Sequence, residues 1–272
     1  MKIIDCFIFY NEIDLLKYRL EILYPVVDYF VLVEATRTHS GKSKPLYYQE
    51  NKDLFKQYQD KIIYVCDDKL EETPAFKYSR NYDDGIWKNE NHQRNSIETG
   101  INLVPGGLAR EDYIMISDVD EIPNPDILEY VRDNKPKIDC MSLIMTMFYY
   151  NLTLINEQKW YHPKIMSYGF YCDAFECTPQ KCRMIETRQS IKNGGWHLSY
   201  FGSPEFIKNK IMSFAHQEFN RAEYIDVSAI ETKMKQKQDL FNRYNEKWNY
   251  IALATNPDLP PQYETLLSKF TG

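Results

Sequence analysis

Glycine is scarce in this chain, ten residues in 272, and it never gathers with basic residues into a phosphate-cradling loop. That absence argues against a nucleotidyltransferase or a phosphatase. Positive charge is also in deficit. A formal net charge of −6 excludes nucleic acid as a partner recognised through a generally basic surface. Long apolar runs are missing, and the richest, Cys140 to Tyr150, falls well below the ~20 residues needed for a membrane span. The N-terminal MKIIDCFIFYNE has too short an apolar stretch for a secretory leader and no small-residue cleavage site. The expectation is a soluble, cytoplasmic protein without an anchor. The six cysteines form no CxxC pair and no zinc-finger spacing. Cys172, Cys177 and Cys182 recur every fifth residue and read as free thiols, with a disulfide among them left open for a lumenal protein.

Tyrosine, by contrast, is abundant at 22 residues, which suits sugar or base stacking and core packing alike. The chain is long enough to bury a sizeable core and shows no repeat and no linker, so residues 1–272 read as one domain. Over residues 1–135, apolar runs alternate with helical patterns. Strands are predicted at Ile3–Tyr10, Tyr29–Glu34, Ile62–Cys66 and Tyr113–Ser117. Helices are predicted at Glu12–Leu23, Leu54–Tyr58, Asn89–Leu103 and Pro125–Arg132. This order predicts an α/β fold, a mainly parallel central sheet flanked by helices, with residues 1–135 as the nucleotide-binding half. Residues 136–272 read as an acceptor half. It has strands at Met141–Tyr150, Lys164–Phe170 and Lys181–Glu186, then helices at Glu205–Ser213 and Asp226–Tyr244. Asp67–Asn89 is irregular and reads as a lid or substrate loop.

The most informative stretch is YIMISDVDEIPNP, Tyr113–Pro125, a buried strand running into Asp118, Asp120 and Glu121. Ligands of open α/β sheets bind beyond the carboxyl ends of the strands. Side chains two apart in an extended segment share a side, so Asp118 and Asp120 can face one cavity. Two hard carboxylates suit Mn²⁺ or Mg²⁺, which would remove their repulsion and could bridge a diphosphate. The same residues also suit a plain turn, with Asp120 or Asn124 capping the helix that begins at Pro125. Glu121 reads as structural.

A second cluster is GGWHLSYFGSPE, Gly194–Glu205. The paired glycines permit close backbone approach. His197 is a candidate third metal ligand, or a core histidine, and Trp196 a candidate stacking platform. His216 in SFAHQEFN is a competing ligand. At the ends of the first two strands, Asn11, Glu12 and Glu34 could hold a base or ribose, or serve the helices that follow. Arg94 could reach a phosphate or pair with Glu90 or Glu98 at helical spacing.

These clusters, in this order, resemble glycosyltransferase family 17, the family of the β-1,4-mannosyl-glycoprotein 4-β-N-acetylglucosaminyltransferase. The resemblance rests on NEIDLLKYRLEILYPVVDYFVLVEATRTHSGKSKPLYY, SDVDEIP and GGWHLSYFG, spanning about residues 5–202. It implies a GT-A-type fold, a UDP-sugar donor, a glycan acceptor, a divalent cation and inversion at the anomeric carbon. UDP-N-acetylglucosamine is the donor implied, with UDP-xylose or UDP-glucose as alternatives on the same fold. Asp118 and Asp120 match the family's metal and diphosphate motif, His197 its G-W-H segment and Glu34 the acid after the second strand. The family's animal enzyme has a membrane anchor and stem, which this protein is expected to lack. Inverting transfer needs a base near the acceptor hydroxyl, and Glu218 and Asp173 are the candidates. The rival of another class is a non-catalytic carbohydrate-binding protein, which leaves the acid pair unexplained.

Overall fold

Strand β1 (Ile3–Phe9) is buried along its whole length, as a strand covered on both faces must be. Its side chains alternate between two cores. Ile3, Phe7 and Phe9 meet helix α1 (Ile13–Leu23), whose Leu15, Leu16, Leu20 and Leu23 lie at helical spacing. Ile4, Cys6 and Ile8 face the opposite core with Ile97 and Ile101. The computed structural model describes residues 1–73, 87–174 and 177–272. Most of the stretch read as a lid therefore lies outside the described residues.

β1 pairs in parallel with β2 (Tyr29–Ala35) on one side and β4 (Tyr113–Asp118) on the other, and β3 (Ile62–Asp67) extends the run beyond β2. The one-turn helix α2 (Tyr47–Glu50) follows β2, and α3 (Lys88–Asn95) and α4 (Ile97–Asn102) precede β4. After β4 come β5 (Glu121–Pro123), α5 (Pro125–Asn134), β6 (Cys140–Tyr149), β7 (Asn151–Asn156), β8 (Lys164–Ser167), α6 (Tyr168–Asp173) and α7 (Pro179–Met184). The chain closes with β9 (Ser190–Ser199), α8 (Pro204–Ser213), α9 (Ala222–Ile225), α10 (Val227–Gln236), β10 (Trp248–Tyr250) and α11 (Tyr263–Leu266). The strands run β10-β7-β6-β8-β4-β1-β2-β3, with β9 joining β6 and β5. The expected α/β architecture with a parallel centre flanked by helices is present. Antiparallel pairing of β8 with β4, of β6 with β7 and β8, and of β5 with β9 makes the whole sheet mixed.

Several boundaries differ from the sequence expectation, each for a local reason. The predicted helix Asn89–Leu103 is two helices, because the Ser96 hydroxyl bonds back to the His92 carbonyl and across to Asp67. The predicted strand Lys181–Glu186 is helix α7, with Pro179 at its first turn and the Thr178 hydroxyl accepting from the Lys181 amide. Lys164–Phe170 is extended only to Ser167, whose hydroxyl then caps α6. The long helix predicted at Asp226–Tyr244 stops at Lys237, which is left-handed (φ 56°). A disulfide joins Cys177 to Cys182 across α7, where free thiols were expected, while Cys172 is free.

Among the described residues, no helix is long and apolar enough to cross a membrane. A third core sets Ile207 and Ile211 of α8 and Ile230 of α10 over Tyr149, Tyr150 and Leu154. Leu267 and Phe270, near the chain's end, share the first core with Ile3 and Phe7.

Candidate active site

The acidic corner between β4 and β5 is built from the inside out. Arg19 points from α1 into the protein and is wholly buried with Asp5, to which it forms a bidentate pair at 2.6 and 2.7 Å. Its Nη1 donates to the carbonyls of Asp118, Val119 and Glu121 at 2.8, 3.2 and 2.8 Å. Three carbonyls turned toward one guanidinium fix the backbone of the corner. Asn124, not Asp120, caps α5 by accepting from the Asp126 amide, so the Asp120 carboxylate is left for other partners.

Strand β9 brings the G-W-H segment alongside. Glu121 pairs with His197 and Pro123 with Gly195, and the Leu198 amide donates to the Asp120 carbonyl at 2.8 Å. The glycines are required for this approach. A Cβ on Gly195 (φ +145°) would lie 2.1 Å from the Ile122 carbonyl oxygen, and one on Gly194 2.8 Å from Leu143 Cα. Alternation along β9 sends His197 to the acidic side and Trp196 to the other. Trp196 donates its indole N–H to the Asp258 carbonyl at 2.8 Å and packs in the core. The stacking platform expected there is a core anchor beside a smaller cavity of about 290 Å³.

Asp118, Asp120 and His197 line one cavity of about 610 Å³ beyond the carboxyl ends of β1 and β4. Arg94 and Arg183 each donate to one oxygen of Asp118 at 2.9 Å. Arg183 also forms a two-bond fork on Glu121 at 2.6 Å, and Trp160 donates to the same carboxylate. Glu121 in turn accepts from the Asp118 amide at 2.8 Å, which matches its structural reading. Arg94 further contacts Glu90 at 3.0 Å, the helical pairing expected, and Gln180 at 2.5 Å. Lys210, from α8, bridges Asp120 Oδ2 at 2.8 Å and Glu12 at 3.3 Å. Burial alone would push both aspartates up. The facing cations win: Arg183 and Arg94 hold the Asp118 carboxyl well below the ordinary range, and Lys210 holds Asp120 below it.

Asp120 Oδ1 lies 3.8 Å from His197 Nε2 and accepts no hydrogen bond among the described residues. His197 Nδ1 is buried, likewise without a described partner. The imidazole leans on Trp160 at 4.4 Å between ring centres.

The remaining expected site residues divide. Glu12 and Arg94 line the cavity, whereas Asn11 and Glu34 do not. Glu12 also accepts from the amides of Tyr10 and Asn11, shaping the turn after β1. The Asn11 side-chain oxygen is buried without a described partner. Glu34 is buried and accepts from Lys44, the Tyr48 amide and Tyr64. Burial raises its pKa against the pull of Lys44. Glu218 lines the cavity. Asp173 is 65% exposed on α6, paired with Arg110 and away from the cavity wall. Arg19, Arg183 and Lys210 escaped the sequence reading. Two of them had a weak signal: Arg19 interrupts the leucine stripe of α1, and Lys210 lies beside the Ile207–Ile211 stripe of α8.

A cation-braced cavity beyond the carboxyl ends of parallel strands is the architecture of an α/β enzyme acting on a bound ligand. Residues 1–265 match glycosyltransferase family 17, and the chain belongs to that family. No curated protein matches closely enough to count as a relative. Binding of a sugar donor and a sugar acceptor follows from the family membership.

Proposed function

We propose that the protein transfers N-acetylglucosamine from UDP-N-acetylglucosamine to a glycan hydroxyl, with inversion, on a GT-A-type fold. The observation that carries this reading is the pairing of Asp120 Oδ1 and His197 Nε2, 3.8 Å apart on the wall of the cavity. Among the described residues, no group of three or more His, Cys, Asp or Glu converges as a cation site. Two protein donors suffice where substrate phosphate and water complete the shell, which is how Mg²⁺ and similar hard cations are usually held. Asp120 and His197 therefore fit Mn²⁺ or Mg²⁺. When bound, the ion would offset charge on the departing diphosphate. Asp118 is assigned differently from the sequence expectation of a metal ligand. Both of its oxygens already serve guanidiniums, so its part is to hold Arg94 and Arg183 on the donor's wall.

The nucleoside belongs at the ends of β1 and β2, where Phe9, Tyr10, Arg37, Thr38 and His39 line the cavity. Lys210 faces the diphosphate position and stays charged, since Asp120 and Glu12 raise its pKa above its ordinary value despite burial. The acceptor approaches from the side of Glu218.

A thermal-shift screen of UDP-N-acetylglucosamine, UDP-xylose and UDP-glucose, with and without Mn²⁺, tests the reading. Saturation at 100 times the Kd stabilises the native state by about 2.7 kcal/mol. UDP-N-acetylglucosamine with Mn²⁺ is expected to give the largest shift, and Asp120→Ala to abolish the Mn²⁺-dependent part. No shift with any donor refutes the transferase reading, and a shift by glycan alone would favour a sugar-binding protein. An unchanged Mn²⁺ effect in Asp120→Ala refutes the metal assignment.

A further inference from the structure

Downstream of α8 the chain brings another histidine to the wall of the same cavity. His216 Nδ1 lies 2.7 Å from Glu218 Oε1, and both residues are partly buried in the cavity wall. The ring is collared by aromatics. Trp87 meets it edge-on at 4.5 Å between centres, and Phe214 and Phe219 stand at 5.5 and 5.9 Å. Glu218 is anchored in turn, because Arg221 Nε donates to its carbonyl at 2.8 Å. A carboxylate bonded to Nδ1 selects the tautomer whose Nε2 bears a lone pair. Among the described residues nothing hydrogen-bonds that Nε2.

Resting on the transferase reading, we infer that His216 is the base that takes the acceptor's proton and that Glu218 is its positioning residue. The bonds balance as follows. The acceptor hydroxyl oxygen gives its electron pair to the anomeric carbon, and its proton passes to His216 Nε2. The bond from that carbon to the diphosphate oxygen breaks, with the electron pair leaving on UDP. The imidazolium, opposite Glu218, later returns the proton to solvent. This division reverses the sequence expectation that Glu218 itself is the base. The carboxylate already spends one oxygen on the imidazole, and its other oxygen is buried without a described partner.

The test separates this inference from the reading beneath it. Calorimetry first measures UDP-N-acetylglucosamine binding with Mn²⁺ to wild type, His216→Ala, His216→Gln and Glu218→Gln. UDP release is then followed, with water as the acceptor so that no glycan need be known. The His216 variants should bind donor within about threefold of wild type and release UDP about 10²–10⁴-fold more slowly. Added imidazole should restore part of the rate to His216→Ala and none to His216→Gln, whose side chain fills the space. Glu218→Gln should lower kcat about tenfold with KM unchanged, since the ring loses its tautomer preference and not its substrate. Normal UDP release from His216→Ala with normal donor binding overturns the inference and leaves the transferase reading intact. Failure of wild type to bind any nucleotide sugar removes both.

Discussion

Replacing Arg19 by methionine separates the two jobs this residue holds. Arg19 and Asp5 are both 0% exposed, and the pair lies between α1 and the centre of the sheet. Removing the guanidinium leaves a carboxylate buried without its counter-charge, a change worth about 3–5 kcal/mol of stability. Methionine can keep contact with the Phe7 ring, which the guanidinium covers at 4.3 Å, so packing offsets little of the charge effect. With a urea slope of about 2–3 kcal/mol per molar, the unfolding midpoint should fall by roughly 1–2.5 M. The double variant Asp5→Leu/Arg19→Met removes both charges and should recover most of that loss. It should not recover ligand binding. The carbonyls of Asp118, Val119 and Glu121 would still have lost their common donor, and the corner would be free to rotate. Equilibrium urea unfolding by circular dichroism gives the first quantity, and calorimetry with UDP and Mn²⁺ the second. A single variant within about 1 kcal/mol of wild type would refute the buried charge pair. A double variant that binds as wild type does would refute the positional role of Arg19.

Two further outcomes follow from the same corner. Asp118 and Asp120 have folded pKa values below their ordinary ones, so the stability they contribute is present above about pH 4 and is lost as pH falls through the folded values. The unfolding temperature should therefore fall from pH 5 to pH 2, and Asp118→Asn should flatten that limb; an identical limb in the variant contradicts the assignment. Gly195→Ala should cost about 2–4 kcal/mol, because its Cβ meets the Ile122 carbonyl oxygen at 2.1 Å. Gly107→Ala, at a positive φ with open space around it, should cost only about 1–2 kcal/mol, and equal losses at the two glycines would refute the close-approach argument.

The sequence made the centre of the parallel sheet readable because β1, β2 and β4 are buried almost throughout and so appear as nearly unbroken apolar runs. The acidic corner was readable for the opposite reason, as charge placed where burial was expected. Its neutralisation was not readable. Arg183 and Lys210 act across 62 and 90 residues, and no local pattern marks such pairs. Trp196 and His197 adjoin in sequence and both suit a site, yet strand alternation separates them once β9 is recognised. That strand went unread because the glycine pair at its centre breaks the usual strand signal. Asp173 could not be excluded from sequence, since its removal from the cavity depends on how α6 follows β8. His216 was in view as a possible ligand, and only its bond to Glu218 gives it a different task.

The wide separation of the corner from its cations also orders events during synthesis. Asp118, Asp120 and Glu121 leave the ribosome with only Arg19 and Arg94 already made. At roughly 5–20 residues per second, Lys210 emerges about 5–18 s after Asp120, the 90 residues between them setting the delay. Until then the acidic corner has no lysine to face. The candidate pocket is thus among the last parts of the molecule whose components all exist, and a nascent chain stopped before α8 holds Asp120 without its lysine.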